Sequence, residues 1–272
     1  MPSNTEITIS QLIRLVGLST APTIIDVRSA EDFKGDPRLL PGAVRRDALT
    51  VAEWATECVG HHVVVVCQKG LKLSQGAAAW LRQLGAKAET LEGGFEGWRA
   101  AKGLLVNSDK LPQRDVAGYT VWVTRARPKV DRMACPWLIR RFVDPSAVFL
   151  FVASSEVLDV AERFHATPFD IDDVFWSHRG ERCTFDTMIE EFGLTSEALG
   201  RLALIVRAAD TARLDLAPQA AGFLAASLGL SRMYRDDLEQ LDAGMLLYDA
   251  FYRWSRDATE ETHNWPSVQK LA

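Results

Sequence analysis

Short apolar runs alternate with helical patterns through the first part of the chain. Thr23-Ile24-Ile25-Asp26-Val27 is short and β-branched, and Val63-Val64-Val65-Val66 is an unbroken valine run. A run of that kind suits a strand covered on both faces. Ala88-Glu89-Thr90-Leu91 reads as a third strand, ending at Gly93-Gly94. Helical periodicity falls at 8–17, 50–58, 74–84 and 94–102. Thr8 and Gln11 have capping-box spacing, and Ser29 and Asp32 repeat it in an acidic variant. The alternation predicts an α/β fold for residues 1–105, a parallel sheet with helices on both faces. Ligands of such sheets sit at the carboxyl ends of the strands.

Gly103, Asn107, Ser108, Asp109, Pro112 and Gly118 then interrupt the pattern, so 106–118 reads as a linker. Residues 119–272 form a second, mainly helical α+β domain. Its strands are Tyr119-Thr120-Val121-Trp122-Val123 and Val148-Phe149-Leu150-Phe151-Val152. A helix begins between Asp131 and Cys135, on the argument that Pro136 fits only a first turn. Further helices are predicted over 184–192, 196–209, 218–228 and 236–256. Tyr248, Phe251, Tyr252 and Trp254 have helical spacing and read as core. The polar tail after Asp257 is expected to be poorly ordered. There is no internal repeat and no low-complexity tract.

Composition narrows the function classes. The chain has 272 residues, 47% of them hydrophobic and 25% charged, which is a globular balance. No run of 18 apolar residues exists, so no membrane span is expected. The first twenty residues lack the basic start and apolar core of a secretory signal, so a cytoplasmic location is expected. A net charge of -5 argues against a nucleic-acid partner bound over the whole surface. Cys58, Cys67, Cys135 and Cys183 are scattered without a CxxC pair, so free thiols are expected.

Cys67 is the most informative of the four. It directly follows the valine strand, in Cys67-Gln68-Lys69-Gly70-Leu71-Lys72-Leu73-Ser74, with a helical pattern starting at Ser74. Successive amides of such a loop can point at one anion, and the helix N-terminus adds positive potential. Lys69 and Lys72 add full charges. All three effects favour thiolate over thiol, so a nucleophilic Cys67 is expected. Asp26 and Arg28 read as structural residues near the sheet. His61 and His62, at the opposite end of the strand, read as surface residues.

Residues 5–103 resemble a single rhodanese domain. The matching pieces are Ile25-Asp26-Val27-Arg28 with Asp32-Phe33, then Pro41-Gly42-Ala43, the Cys67 loop, and Gly93-Gly94-Phe95-Glu96-Gly97-Trp98. The resemblance implies a sulfurtransferase that needs no cofactor. Cys67 would take a sulfane sulfur from thiosulfate or a persulfide, hold it as Cys–S–S⁻, and pass it to a thiol or cyanide. The amides of Gln68, Lys69, Gly70, Leu71 and Lys72 would cradle the outer sulfur. The loop departs from the family's Cys-x-x-Gly-x-Arg-Ser: Lys72 stands at the arginine position, and Leu73 displaces Ser74 by one place. Lysine keeps the charge but not the planar fork that suits an oxyanion.

Residues 120–256 resemble the C-terminal domain of the ChrB chromate-resistance family. The likeness rests on Trp122 to Arg132, Cys135 to Phe142, Phe169-Asp170, Ser177 to Asp186, Arg207 to Asp210 and Tyr248-Asp249-Ala250. It implies a role in chromate resistance, where some members are chromate-responsive regulators; the Lys72 and Leu73 departures point to the alternative of a chromate-responsive sensor that uses the rhodanese fold only as a scaffold. Residues 116–272 hold 17 basic and 23 acidic side chains, yet 125–141 has six basic groups against Asp131. Within it, Arg125, Arg127, Arg132 and Arg140 are candidates for holding chromate or another oxyanion; the alternative is a solvated helix face. Cys135 or Cys183 beside bound chromate could reduce it. His178, Cys183, Asp186 and Glu190, with Asp170 and Asp210 as remote ligands, could hold zinc or iron. The alternative there is a helix cap by Asp186 and Thr184 beside a buried Cys183.

Overall fold

Five short strands hydrogen-bond in parallel in the first half: β1 (Glu6–Ile7), β2 (Thr23–Asp26), β3 (Val44–Arg45), β4 (His62–Val66) and β5 (Lys87–Leu91), in the order β1-β5-β4-β2-β3. The structure is a computed structural model and describes residues 5–115 and 118–262. The end of the polar tail, 263–272, lies outside the described residues. The valines of β4 alternate between two cores. Val64 and Val66 pack with Leu12, Phe95 and Trp98, while Val63 and Val65 pack with Ala77, Ala78 and Leu81. All four are fully buried, each stabilising the fold by about 1.5–3 kcal/mol relative to exposure.

Helices α1 (Ile9–Leu15), α2 (Ala30–Gly35), α3 (Val51–Trp54) and α4 (Lys72–Gln83) connect these strands, and α5 (Gly94–Ala100) follows the last. Thr8 and Gln11 form the full capping box, and the Ser29 hydroxyl accepts from the Asp32 amide. The segment 50–58 is not one helix. It divides into 3-10 turns at Ala48–Thr50 and Ala55–Cys58 around α3, where β-branched Thr50, Val51 and Thr56 lower helix propensity. His62 is not a free surface residue either: it opens β4 and its Nε2 lies 2.6 Å from the Glu89 carboxylate on β5.

The second half has its own parallel sheet, β6 (Val121–Arg125), β7 (Val148–Val152) and β8 (Thr167–Pro168), in the order β7-β6-β8. Among the described residues six helices accompany it: α6 (Asp131–Leu138), α7 (Val157–Phe164), α8 (Thr184–Phe192), α9 (Glu197–Asp210), α10 (Ala220–Met233) and α11 (Asp237–Asp257), with α7 against the sheet and the others packed mainly on one another. Pro136 is not in the first turn of α6 but inside the helix. Its ring has no N–H and crowds the carbonyl four residues back, and a π turn over Ile139–Val143 follows. Full burial of Trp137, Leu138, Ile139 and Phe142 holds the irregular segment in place.

The segment between the halves is not a loose tether. Val106 and Leu39 exchange two backbone hydrogen bonds of 2.8 and 2.9 Å, and Asn107 N–H donates to the Phe192 carbonyl at 2.9 Å. A single apolar core runs from Leu12 and Val16 through Trp137 and Phe142 to Tyr248 and Tyr252. Phe251 and Trp254 pack half-buried against it. Gly17, at φ +79°, makes room: a Cβ there would lie 2.5 Å from the Phe142 ring. Among the described residues no helix is long and apolar enough to cross a membrane.

Candidate functional site

Cys67 lies at the carboxyl end of β4, the middle strand of its sheet, where the crossover to α4 begins. Its side chain is almost fully buried, and Sγ sits 3.2 Å from the Ser74 hydroxyl. Burial raises the thiol's pKa. Hydrogen bonds from the Ser74 side chain and from the amides of Ser74, Lys69 and Leu71 outweigh it, holding the thiol below its ordinary value of 9.0. The extra residue in the loop is absorbed by starting α4 at Lys72. Lys72 is left exposed, Leu73 half-buried and Ser74 turned inward.

The start of α5 braces this loop from behind. The amides of Phe95 and Glu96 donate to the carbonyls of Cys67 and Gln68, both at 3.0 Å. Gly94, at φ +60°, permits the approach: a Cβ there would lie 2.3 Å from both the Cys67 carbonyl oxygen and the Gly70 nitrogen. Asp26 and Arg28 are structural. Arg28 Nη2 lies 2.6 Å from the Asp26 carboxylate, with the guanidinium 3.7 Å over the Phe95 ring. A cleft of about 740 Å³ opens beside the loop, lined by Lys72 and Leu73 together with Ser29, Arg45, Arg46 and Asp47. Lys69 is exposed.

A second constellation sits at the carboxyl end of the other sheet. The His178 Nε2 lies 3.5 Å from Asp131 Oδ2, 3.4 Å from Asp170 Oδ1 and 3.3 Å from Asp210 Oδ2. Asp131 opens α6, Asp170 follows β8, Asp210 ends α9, and His178 is in the loop before α8. One donor atom each from Asp131, Asp170 and His178 falls within 4.8 Å of the others, so these residues could hold a metal ion. The three carboxylates push the His178 pKa up to about 12 against partial burial. Burial pushes the Asp131 carboxyl up, and Asp210 and Asp170 add to it against the pull of His178. Asp170 is held below the usual carboxylate value: burial opposes this, but His178, Thr184 and Arg132 prevail.

The ligand set expected from spacing is redistributed. His178 and the remote Asp170 are in the cluster with Asp131, while Asp210 reaches its ligand atoms only through His178 Nε2. Cys183, Asp186 and Glu190 are not among its ligand atoms. The Cys183 thiol donates to Asp186 at 3.3 Å, Asp186 also accepts from the Cys183 amide and pairs with Arg207, and Glu190 pairs with Arg182 on the surface. Asp186 caps α8 as the alternative expects, but its partner at the helix start is Cys183 rather than Thr184, whose hydroxyl donates to Asp170. Asp131 was not a sequence candidate. Its position at a helix start reads as an ordinary first-turn acid, and Asp210 is 79 residues away.

The four arginines of the basic segment do not converge on an open anion site. Arg125 and Arg132 both contact the Asp170 carboxylate, at 3.3 and 3.4 Å, and Arg132 also donates to the carbonyls of Arg125 and Ala126. Arg127 donates to the carbonyls of Ser231, Tyr234 and Arg235 and faces Asp237. Arg140 pairs with Asp242 at 3.0 Å and lies over Phe149. Cys135 and Cys183 are fully buried, and desolvation raises both thiols well above 9.0, which opposes a reducing role. All four cysteines are free thiols.

Residues 8–101 match the rhodanese-like domain, and residues 122–255 match the C-terminal domain of ChrB. Protein ChrB of Cupriavidus metallidurans is 34% identical over 145 residues, covering 52% of this chain. The match spans 43% of that relative's length. A rhodanese-like domain protein from Staphylococcus aureus is similar at 24% identity, over 35% of this chain and 90% of its own, with a TM-score of 0.31. A rhodanese-related protein from Thermoplasma volcanium is similar at 22% identity, over 37% and 96% of the two chains, with a TM-score of 0.33.

Proposed function

Since the chain joins a rhodanese-like domain to a ChrB C-terminal domain, we propose that it is a persulfide-forming sulfurtransferase acting in protection against chromate and related oxidative stress. The observation that supports this most directly is the Cys67 thiol at a strand end, drawn toward thiolate by Ser74 and three loop amides. The same donors that favour the thiolate suit a persulfide anion in its place.

In this reading the Cys67 thiolate attacks the outer sulfur of thiosulfate. The S–S bond of the donor breaks, sulfite leaves with the electron pair, and Cys67–S–S⁻ forms. An acceptor then attacks the terminal sulfur. Cyanide leaves as thiocyanate, a thiolate leaves as a persulfide, and Cys67 returns to thiolate. Lys72 stands in the cleft that borders the loop, where it would attract an anionic donor. It offers one point charge rather than a bidentate fork, so a persulfide donor is favoured over thiosulfate. The test is thiocyanate formation from thiosulfate and cyanide, which should be measurable for the full chain and absent in Cys67→Ser. Equal activity in the two proteins would remove Cys67 from the chemistry.

The sensor reading places chromate on Arg125, Arg127, Arg132 and Arg140. Their engagement by carboxylates and carbonyls gives it no support, and the enzyme reading is preferred.

A further inference from the structure

The cluster around His178 is independent of the sulfur chemistry. One ring nitrogen has at most one hydrogen to give, yet His178 Nε2 faces three carboxylates at 3.3, 3.4 and 3.5 Å. Those lengths have another meaning. Four donors placed tetrahedrally at about 2.0–2.1 Å from one ion stand about 3.3–3.4 Å apart. The three oxygens therefore stand from the nitrogen at the spacing of ligands that share a cation.

A separate observation lies inside Asp131. Its side chain is 1% exposed, and Oδ2 accepts from the Thr184 amide at 2.6 Å. The other oxygen, Oδ1, is buried with no hydrogen-bond partner among the described residues. The Cys183 thiol lies beside both Asp131 and Asp186, and its one hydrogen is directed to Asp186 at 3.3 Å. A buried carboxylate oxygen left without a donor is costly, and a cation reached by both oxygens of Asp131 would supply the missing partner.

We infer that Asp131, Asp170 and His178 bind one divalent first-row transition cation, with the Asp210 carboxylate beside His178. One imidazole and two carboxylates are suitable donors for zinc, iron(II) or manganese(II), with zinc bound most tightly of the three by the general affinity order. The supporting shell is in place. Thr184 Oγ1 donates to Asp170 Oδ1 at 2.8 Å, Arg125 and Arg132 hold Asp170 Oδ2, and the Asp131 amide lies 3.4 Å from Asp210 Oδ1. The His178 side chain is 41% exposed, which gives the cation its route from solvent. Bound there, the cation would supply a Lewis-acid centre in the second half of the molecule.

The test uses the full chain in a Cys67→Ser background, so that the reactive thiol binds no metal. The protein is stripped with chelator, exchanged into chelator-free buffer and titrated calorimetrically with zinc, manganese(II) and iron(II). One equivalent per chain is expected, tightest for zinc. His178→Ala and Asp170→Asn should weaken it by more than the ~10–100-fold that follows loss of supporting residues alone, whereas Glu190→Gln should bind as the parent does. Circular dichroism of His178→Ala, altered in an exposed loop, separates lost ligation from lost folding. Failure of all three metals to bind the parent would overturn the inference. So would zinc binding unchanged in His178→Ala and Asp170→Asn.

Discussion

At Cys67 two effects of opposite sign meet, and the hydrogen bonds prevail over burial. The consequence is measurable. Alkylation of Cys67 followed against pH should reach half its maximal rate below pH 9.0, and Ser74→Ala should move that midpoint upward by removing a donor to the thiolate. Cys58, Cys135 and Cys183 are shifted the other way by burial, so limited alkylation near neutral pH should label Cys67 first, as read by peptide mass mapping. Equal labelling of Cys58 would contradict the assignment. Cys67 was legible in the sequence because strand, loop and helix follow one another within a dozen residues. The cluster around His178 was only half legible: the sequence brings His178, Asp170 and Asp210 forward, but Asp131 joins them only through the packing of α6, β8 and α9. The basic segment has a related reading: a run of arginines shows charge, but not the carboxylates and carbonyls that the fold brings to meet it.

At the level of elements, the Cys67 loop depends on the close passage of α5. Gly94→Ala would put a methyl group against backbone atoms of Cys67 and Gly70 at 2.3 Å, in a left-handed conformation that alanine adopts poorly. Neither neighbour is a flexible side chain that can move aside. The substitution should cost at least about 1–3 kcal/mol in denaturant unfolding. It should also lower sulfur transfer in the fraction that folds, because the amides that stabilise the thiolate shift with the loop. Unchanged stability and turnover would mean that the loop is not braced in this way. Elements with several periods were readable in advance: β4, α4, α9 and α11 follow their patterns. Strands β1, β3 and β8, of two residues each, have no period to read. Pro136 was misplaced because the rule against proline in a helix interior yielded to a π turn packed in a fully buried aromatic layer.

The whole molecule is held by a core that crosses the segment between its halves. Phe142 is fully buried, stacks edge-on to Trp137 and Tyr252, and fills the space over Gly17. Its carbonyl accepts from the Gly42 amide at 2.6 Å. Phe142→Ala should cost about 3–5 kcal/mol, and unfolding should remain one transition seen together by tryptophan fluorescence and circular dichroism. Two separate transitions in the parent protein would contradict a shared core. The sequence pointed to a linker at 106–118 from its glycine, proline and polar content. Composition could not show that Val106 and Asn107 bind both sides, since their partners, Leu39 and Phe192, are distant in the chain.

The measurement that tests the central claim most directly is the intact mass of the protein after incubation with thiosulfate and removal of excess donor. The account predicts a gain of one sulfur atom on the parent chain, located at Cys67, released by cyanide and missing in Cys67→Ser. A parent chain that gains no sulfur from thiosulfate or from a persulfide donor would contradict it.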